Sequence, residues 1–243
     1  RTSVFANTTG ASNTGCGCAT LENNTTGGQN NAFGHHALDA NTTGSSNCGF
    51  GVHALGANTT ASNNSAFGAA ALLSNTTGNE NTAVGANAHD SNTTGSFNVA
   101  IGLSAMGLAT TAGDSVSVGR GSLQALTTGS NNTGVGKDVG QSLTTGGSNV
   151  LVGRRAGSSI TTASNNICIG TAAGLGHIST SGDQLFIARS NTGSGNAATF
   201  IYGNSSGSLF QGSNSSSWST TSDQRLKKDI VTNTVGLSII DNI

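Results

Sequence analysis

A short apolar stretch returns every 17 residues along most of this chain, usually a small residue, then a larger apolar one, then glycine: Ala32-Phe33-Gly34, Gly49-Phe50-Gly51, Ala66-Phe67-Gly68, Ala83-Val84-Gly85, Ala100-Ile101-Gly102. Polar turn residues separate the stretches. A Thr-Thr pair recurs at the same step from Thr8-Thr9 to Thr161-Thr162, without insertion or deletion. With Asn7 as position 1, the consensus is N-T-T-G-x-x-N-x-A-φ-G-x-x-A-L-x-x, and residues 7–176 make ten consecutive copies. A period of 17 is too long for one strand and too short for a helical repeat, so it suits one turn of a parallel β-coil. Rungs about 4.8 Å apart predict a rod roughly 45 Å long.

Each column of the repeat has a physical reading. Position 11 is glycine in every copy, as a corner needing positive φ or close backbone approach requires. Position 4, Gly or Ala, marks a second bend. Position 7 is Asn in nine copies and Ser115 in the other, which predicts an amide ladder from rung to rung. Position 10 runs Cys16, Phe33, Phe50, Phe67, Val84, Ile101, Val118, Val135, Val152, Ile169 and is expected to face a core. With one or two large apolar side chains per turn, a lone coil cannot offset the entropy of ordering its backbone. The expectation is therefore all-β: a parallel β-helix or β-roll solenoid packed or intertwined as a homotrimer, three stripes sharing one axis. A dimer is the less symmetrical alternative. In later copies position 1 changes from Asn to Ala109, Leu126, Leu143 and Ile160. Position 15 changes from Leu to Gly140, Gly157 and Gly174, and position 12 becomes basic at Arg120, Lys137 and Arg154.

Composition sharpens this picture. Gly, Ser, Thr and Asn make up more than half of the 243 residues, yet 34% are hydrophobic, 8% are charged and the net charge is -1, so self-repulsion does not keep the chain expanded. Nine Lys and Arg give little counterion release, which argues against a nucleic-acid partner. No apolar run approaches the ~20 residues of a membrane span, so membrane insertion is not expected. Proline is absent, compatible with a chain whose N–H groups are nearly all used in ladders. Residues 1–6 are in register with positions 12–17 and are read as the end of a truncated preceding repeat.

Beyond His177 the period is lost. Gln184–Ala188, Ala198–Tyr202 and Ser208–Gln211 read as short strands of a β collar or cap over 177–219. Residues 220–243 then concentrate charge in Ser222-Asp223-Gln224-Arg225-Leu226-Lys227-Lys228-Asp229-Ile230. This string, with Gly236-Leu237 and Ile239-Ile240 after it, resembles the start of the intramolecular chaperone domain, peptidase-like, that ends endosialidase-type phage tail spikes and fibres. The L-F-I-A and F-I-Y-G strands resemble the collar before it, and the 17-residue repeat is similar to the heads of YadA-like trimeric adhesins. The resemblance implies a homotrimeric extracellular rod, a structural shaft or adhesin of a virion tail fibre or bacterial surface, with a cell-surface glycan or receptor as partner. The alternative is a polysaccharide-degrading tail spike whose catalytic part lies outside this chain. The resemblance also implies self-cleavage at the Ser222-Asp223 bond in a full-length precursor, with Ser222 as nucleophile and Lys227 as base. The family chaperone continues well beyond the motif, whereas this sequence stops at Ile243.

Other chemistry is sparse. His35, His36 and His53 cluster at positions 12 and 13, but no fixed carboxylate is expected beside them, so they read as solvent-facing rather than as metal ligands. Cys16 and Cys18 fit neither a disulfide scaffold nor a zinc pattern, and Cys16 is expected to be a small buried hydrophobe. The Asn-Thr-Thr column is formally a glycosylation acceptor but reads as a self-capped turn. Thr-Thr offers one outward column where an ice-binding face wants two. No two acids sit within one rung as a glycosidase pair would, and no phosphate-cradling glycine loop or calcium repeat occurs. No cofactor or metal is expected, and the rod is read as catalytically inert.

Overall fold

The computed structural model describes residues 6–176, 180–188 and 199–211. It is a parallel β-solenoid with one three-residue strand per rung: β1 Thr14–Cys16, β2 Asn31–Phe33, β3 Cys48–Phe50, β4 Ser65–Phe67, β5 Thr82–Val84, β6 Val99–Ile101, β7 Val116–Val118, β8 Thr133–Val135, β9 Val150–Val152 and β10 Ile167–Ile169. Neighbours pair in parallel with a register step of 17, as in Ala32↔Gly49 and Ala66↔Ala83. Three further strands extend the same sheet: β11 Leu185–Ala188, β12 Thr199–Gly203 and β13 Leu209–Gln211. β11 still pairs in parallel with β10, but β12 and β13 are antiparallel, so the stack turns back on itself after its last parallel strand. Phe186 and Tyr202 stack across that turn with centroids 5.8 Å apart. The remaining collar residues, Trp218 among them, lie outside the described residues, as do residues 1–5.

The sequence places each corner. Glycines at position 11 have φ between 113° and 143°. A Cβ on Gly85 would sit 2.7 Å from the carbonyl carbon of Gly102 on the next rung, so both conformation and space exclude a side chain. Positions 6, 13 and 15 are left-handed as well, though many carry ordinary side chains: Leu21, Leu38, Leu55 and Leu72 have φ of 50° to 55°. That conformation costs roughly 1–2 kcal/mol for an L-residue. It persists because the neighbouring rungs fix it through hydrogen bonds such as Leu38 N to Ala54 O at 3.0 Å and Leu55 N to Ala71 O at 3.0 Å.

Two amide ladders line the interior. At position 7, Asn64 Oδ1 accepts the backbone N–H of Asn81 at 2.9 Å, and its Nδ2 donates to Gly78 O at 2.9 Å. Ser115 keeps the row continuous, donating its N–H to Asn98 Oδ1 and accepting that of Asn132. A second ladder at position 1 links Asn24 to Asn7, Asn41 to Asn24, Asn58 to Asn41, Asn75 to Asn58 and Asn92 to Asn75. Each of these amides also donates to the carbonyl three residues on, as in Asn58 to Ala61. Asn24 to Asn92 of this column are buried with Nδ2 engaged, so in the folded rod the Asn-Thr-Thr column is structural rather than a glycan acceptor.

The core corrects one expectation. Within the coil position 9, not position 10, points inward: Ala32, Ala66 and Ala83 are fully buried in one cluster with Leu21, Leu38, Leu55 and Leu72 of position 15, and Ala100 in another with Met106. The position 10 residues face outward, Cys16 included, which is exposed rather than buried. Alternation along a three-residue strand forces positions 9 and 10 to opposite faces, and the thin interior accepts only the smaller. In later rungs Leu126, Leu143, Ile160 and Leu151 replace the leucines lost at position 15, so the core volume moves to positions 1 and 9.

Candidate functional surfaces

Three surfaces follow from the columns. The first is the outer face of the sheet. Phe33, Phe50 and Phe67 stack along it with centroids 4.5 and 5.2 Å apart and near-parallel planes. Val84, Ile101, Val118, Val135, Val152 and Ile169 continue the stripe, and from β6 onward a second column, Val99, Val116, Val150 and Ile167 at position 8, runs beside it. Phe67 and Ile167 are each 41% exposed.

The second is the turn following each strand, where positions 12, 13 and 16 project the repeat's most variable side chains. At one end His35, His36 and His53 gather, with ring centroids 4.1, 5.2 and 5.8 Å apart. Contrary to expectation a carboxylate is fixed there: Asp39 Oδ2 lies 2.8 Å from His36 Nδ1. The left-handed residues His36 and Leu38 fold the chain back so that positions 13 and 16 meet, a proximity that column reading did not give. Among the described residues, no group of three or more His, Cys, Asp or Glu side chains is arranged to hold a metal ion. Farther along, Arg120, Lys137, Arg154 and Arg155 make an exposed basic row.

The third is the Thr-Thr edge. Position 2 hydroxyls bond the carbonyl one rung on, as Thr42 to Thr59 O at 3.0 Å, leaving only position 3 exposed.

One interior residue escaped the sequence reading. His89 stands at position 15, between Leu72 and Met106, fully buried. Its Nδ1 lies 3.4 Å from Met106 O, and Nε2 has no hydrogen-bond partner. Desolvation lowers its pKa from 6.5 to about 4, against a small opposing contribution from the Met106 carbonyl. It separates the apolar core into two clusters, one ending at Ala88 and the other beginning at Ala100. A histidine in a column that is Leu or Met from Leu21 to Leu123 was the available signal.

Ser222, Asp223 and Lys227 lie outside the described residues. No family model matches the chain, and neither a curated protein nor a solved structure does.

Proposed function

We propose that this chain is a structural shaft of an extracellular fibre, three copies packed side by side through the outer face of the sheet, serving surface attachment as part of a phage tail fibre or bacterial adhesin. The observation that carries the reading is the outward apolar stripe along β2 to β10. A contiguous apolar strip of that length exceeds what monomeric soluble proteins ordinarily leave bare. Its repeat is that of the rod itself, so the partner with matching spacing over every rung is another copy of this chain. The ladders support a mechanical role: each rung is tied to the next by backbone bonds, an Asn row and threonine hydroxyls, which makes a rod that opens only by breaking many bonds in series.

A gold-labelled antibody against the rod tests the assignment on the intact source particle or cell. Label on appendages projecting from the surface is the expected result, and label confined to the interior would overturn it. The self-cleavage implied by resemblance belongs to the same proposal. A full-length precursor should release its C-terminal part after Ser222, and Ser222→Ala or Lys227→Ala should leave it uncut. An intact mass that never falls in the unmodified precursor would remove that part.

A further inference from the structure

The polar ties run through the rod past its midpoint without a gap, but the apolar core does not. Leu21 to Ala88 belong to one buried cluster and Ala100 to Ala188 to another, with the imidazole of His89 between them. Rungs 5 and 6, residues 75–108, are joined by backbone bonds such as His89 N–H to Ala105 O at 2.9 Å. The amides of Asn92 and Asn98 add bonds to Asn75 and Asn81 at 2.7 and 3.0 Å. Apolar packing adds little there, because the alanines and Met106 on the two sides fall in different clusters.

The geometry also fixes where a proton would land. Met106 O can only accept, so Nδ1 of His89 is the donor across their 3.4 Å contact, and a further proton goes to Nε2. That atom is buried and has no partner to receive its N–H. Nor is a compensating charge at hand. Between Ala54 and Gly113 the only other ionisable side chains are Glu80 and Asp90. Glu80 is exposed at position 6, and Asp90 stands half-buried at position 16 of the turn, its Oδ1 beside Gly107. The column neighbours Leu72 and Met106 and the strands β4, β5 and β6 carry no charge.

We infer that His89 is an acid-operated joint: its protonation opens rungs 5 and 6 locally, while the rungs on either side stay folded as two separate segments. Each rung of a solenoid contacts only its neighbours, so one interface can fail without the rest. Burial holds the imidazole pKa down from 6.5 to about 4, and opening restores the ordinary value. Opening is therefore unaffected above pH 6.5 and increasingly favoured as the pH falls toward 4. Between pH 7.5 and 5 this linkage amounts to about 30-fold in the opening equilibrium. Asp90, its carboxyl raised mainly by burial, works against opening in acid. The joint goes beyond the fibre reading and does not rest on it.

Hydrogen exchange of the full chain at pH 7.5 and 5, each rate divided by the intrinsic rate at that pH, tests it. Amides over 82–106 should lose about 30-fold in protection, while those around Leu38 and Leu143 should lose less than about threefold. His89→Leu and His89→Met, both residues of this column, should abolish the local loss, and Asp90→Asn should keep it. A loss spread evenly along the rod, no loss over 82–106, a loss that survives both His89 variants, or one that disappears in Asp90→Asn would each overturn the inference. Failure here would leave the fibre reading standing.

Discussion

His89 is the one Lys, Arg, His, Asp or Glu side chain buried among the described residues, and acid should find it. Its imidazole is held neutral by desolvation, so protons bind the unfolded chain more readily than the folded one between the two pKa values. A fall from 6.5 to about 4, at ~1.4 kcal/mol per unit, corresponds to about 3 kcal/mol per chain. The sign is fixed by the direction of the shift. This stability is fully present above pH 6.5, is lost progressively as the pH falls toward 4, and changes no further below that. Asp90 beside it, its carboxyl raised mainly by burial, acts with the opposite sign: its stabilisation is present in acid and lost as the pH rises through its folded pKa. His89→Leu restores the column residue of Leu72 and Leu123 in the same left-handed conformation. It removes the unpartnered Nε2, worth about 1–3 kcal/mol, and rejoins the two core clusters. Guanidinium unfolding midpoints at pH 7.5, 5.5 and 4, approached from both directions, measure this. The wild-type midpoint should fall steeply with acid, while the variant should start higher and lose the part of the slope between pH 6.5 and 4. Parallel pH profiles for wild type and His89→Leu would refute the reasoning.

Asn64→Leu strands the backbone N–H of Asn81 in the interior, while Gly78 O keeps its bond from Asn75 Nδ2, and should cost about 1–3 kcal/mol, read as a lower unfolding midpoint. Gly85→Ala, with its Cβ 2.7 Å from the Gly102 backbone and φ at 133°, should destabilise by more than about 3 kcal/mol or prevent folding, measured by the yield of cooperatively melting protein. Phe50→Asp leaves every ladder bond intact, so circular dichroism should keep its β signature. Sedimentation should show a single chain, because the charge would be trapped between copies.

The rungs, their boundaries, the glycine corner and the position 7 ladder were legible because a solenoid writes its geometry once per period. Which side of the strand faced inward was not. Reading position 10 as a core column shared between copies placed Phe33, Phe50 and Phe67 on an axis between chains but did not reveal that the coil's own narrow interior takes the small residues of position 9. The position 1 ladder was hidden in plain view, since Asn-Thr-Thr also reads as a turn. The His36 and Asp39 contact depended on two left-handed residues that a column alignment does not record.

Native mass spectrometry of the wild-type chain through a wide range of dilution addresses the central claim. Packing through the outer sheet face predicts a species of three times the 23.8 kDa chain mass that persists on dilution. A monomer at every concentration, with the stripe at Phe33, Phe50 and Phe67 open to solvent, would contradict the account.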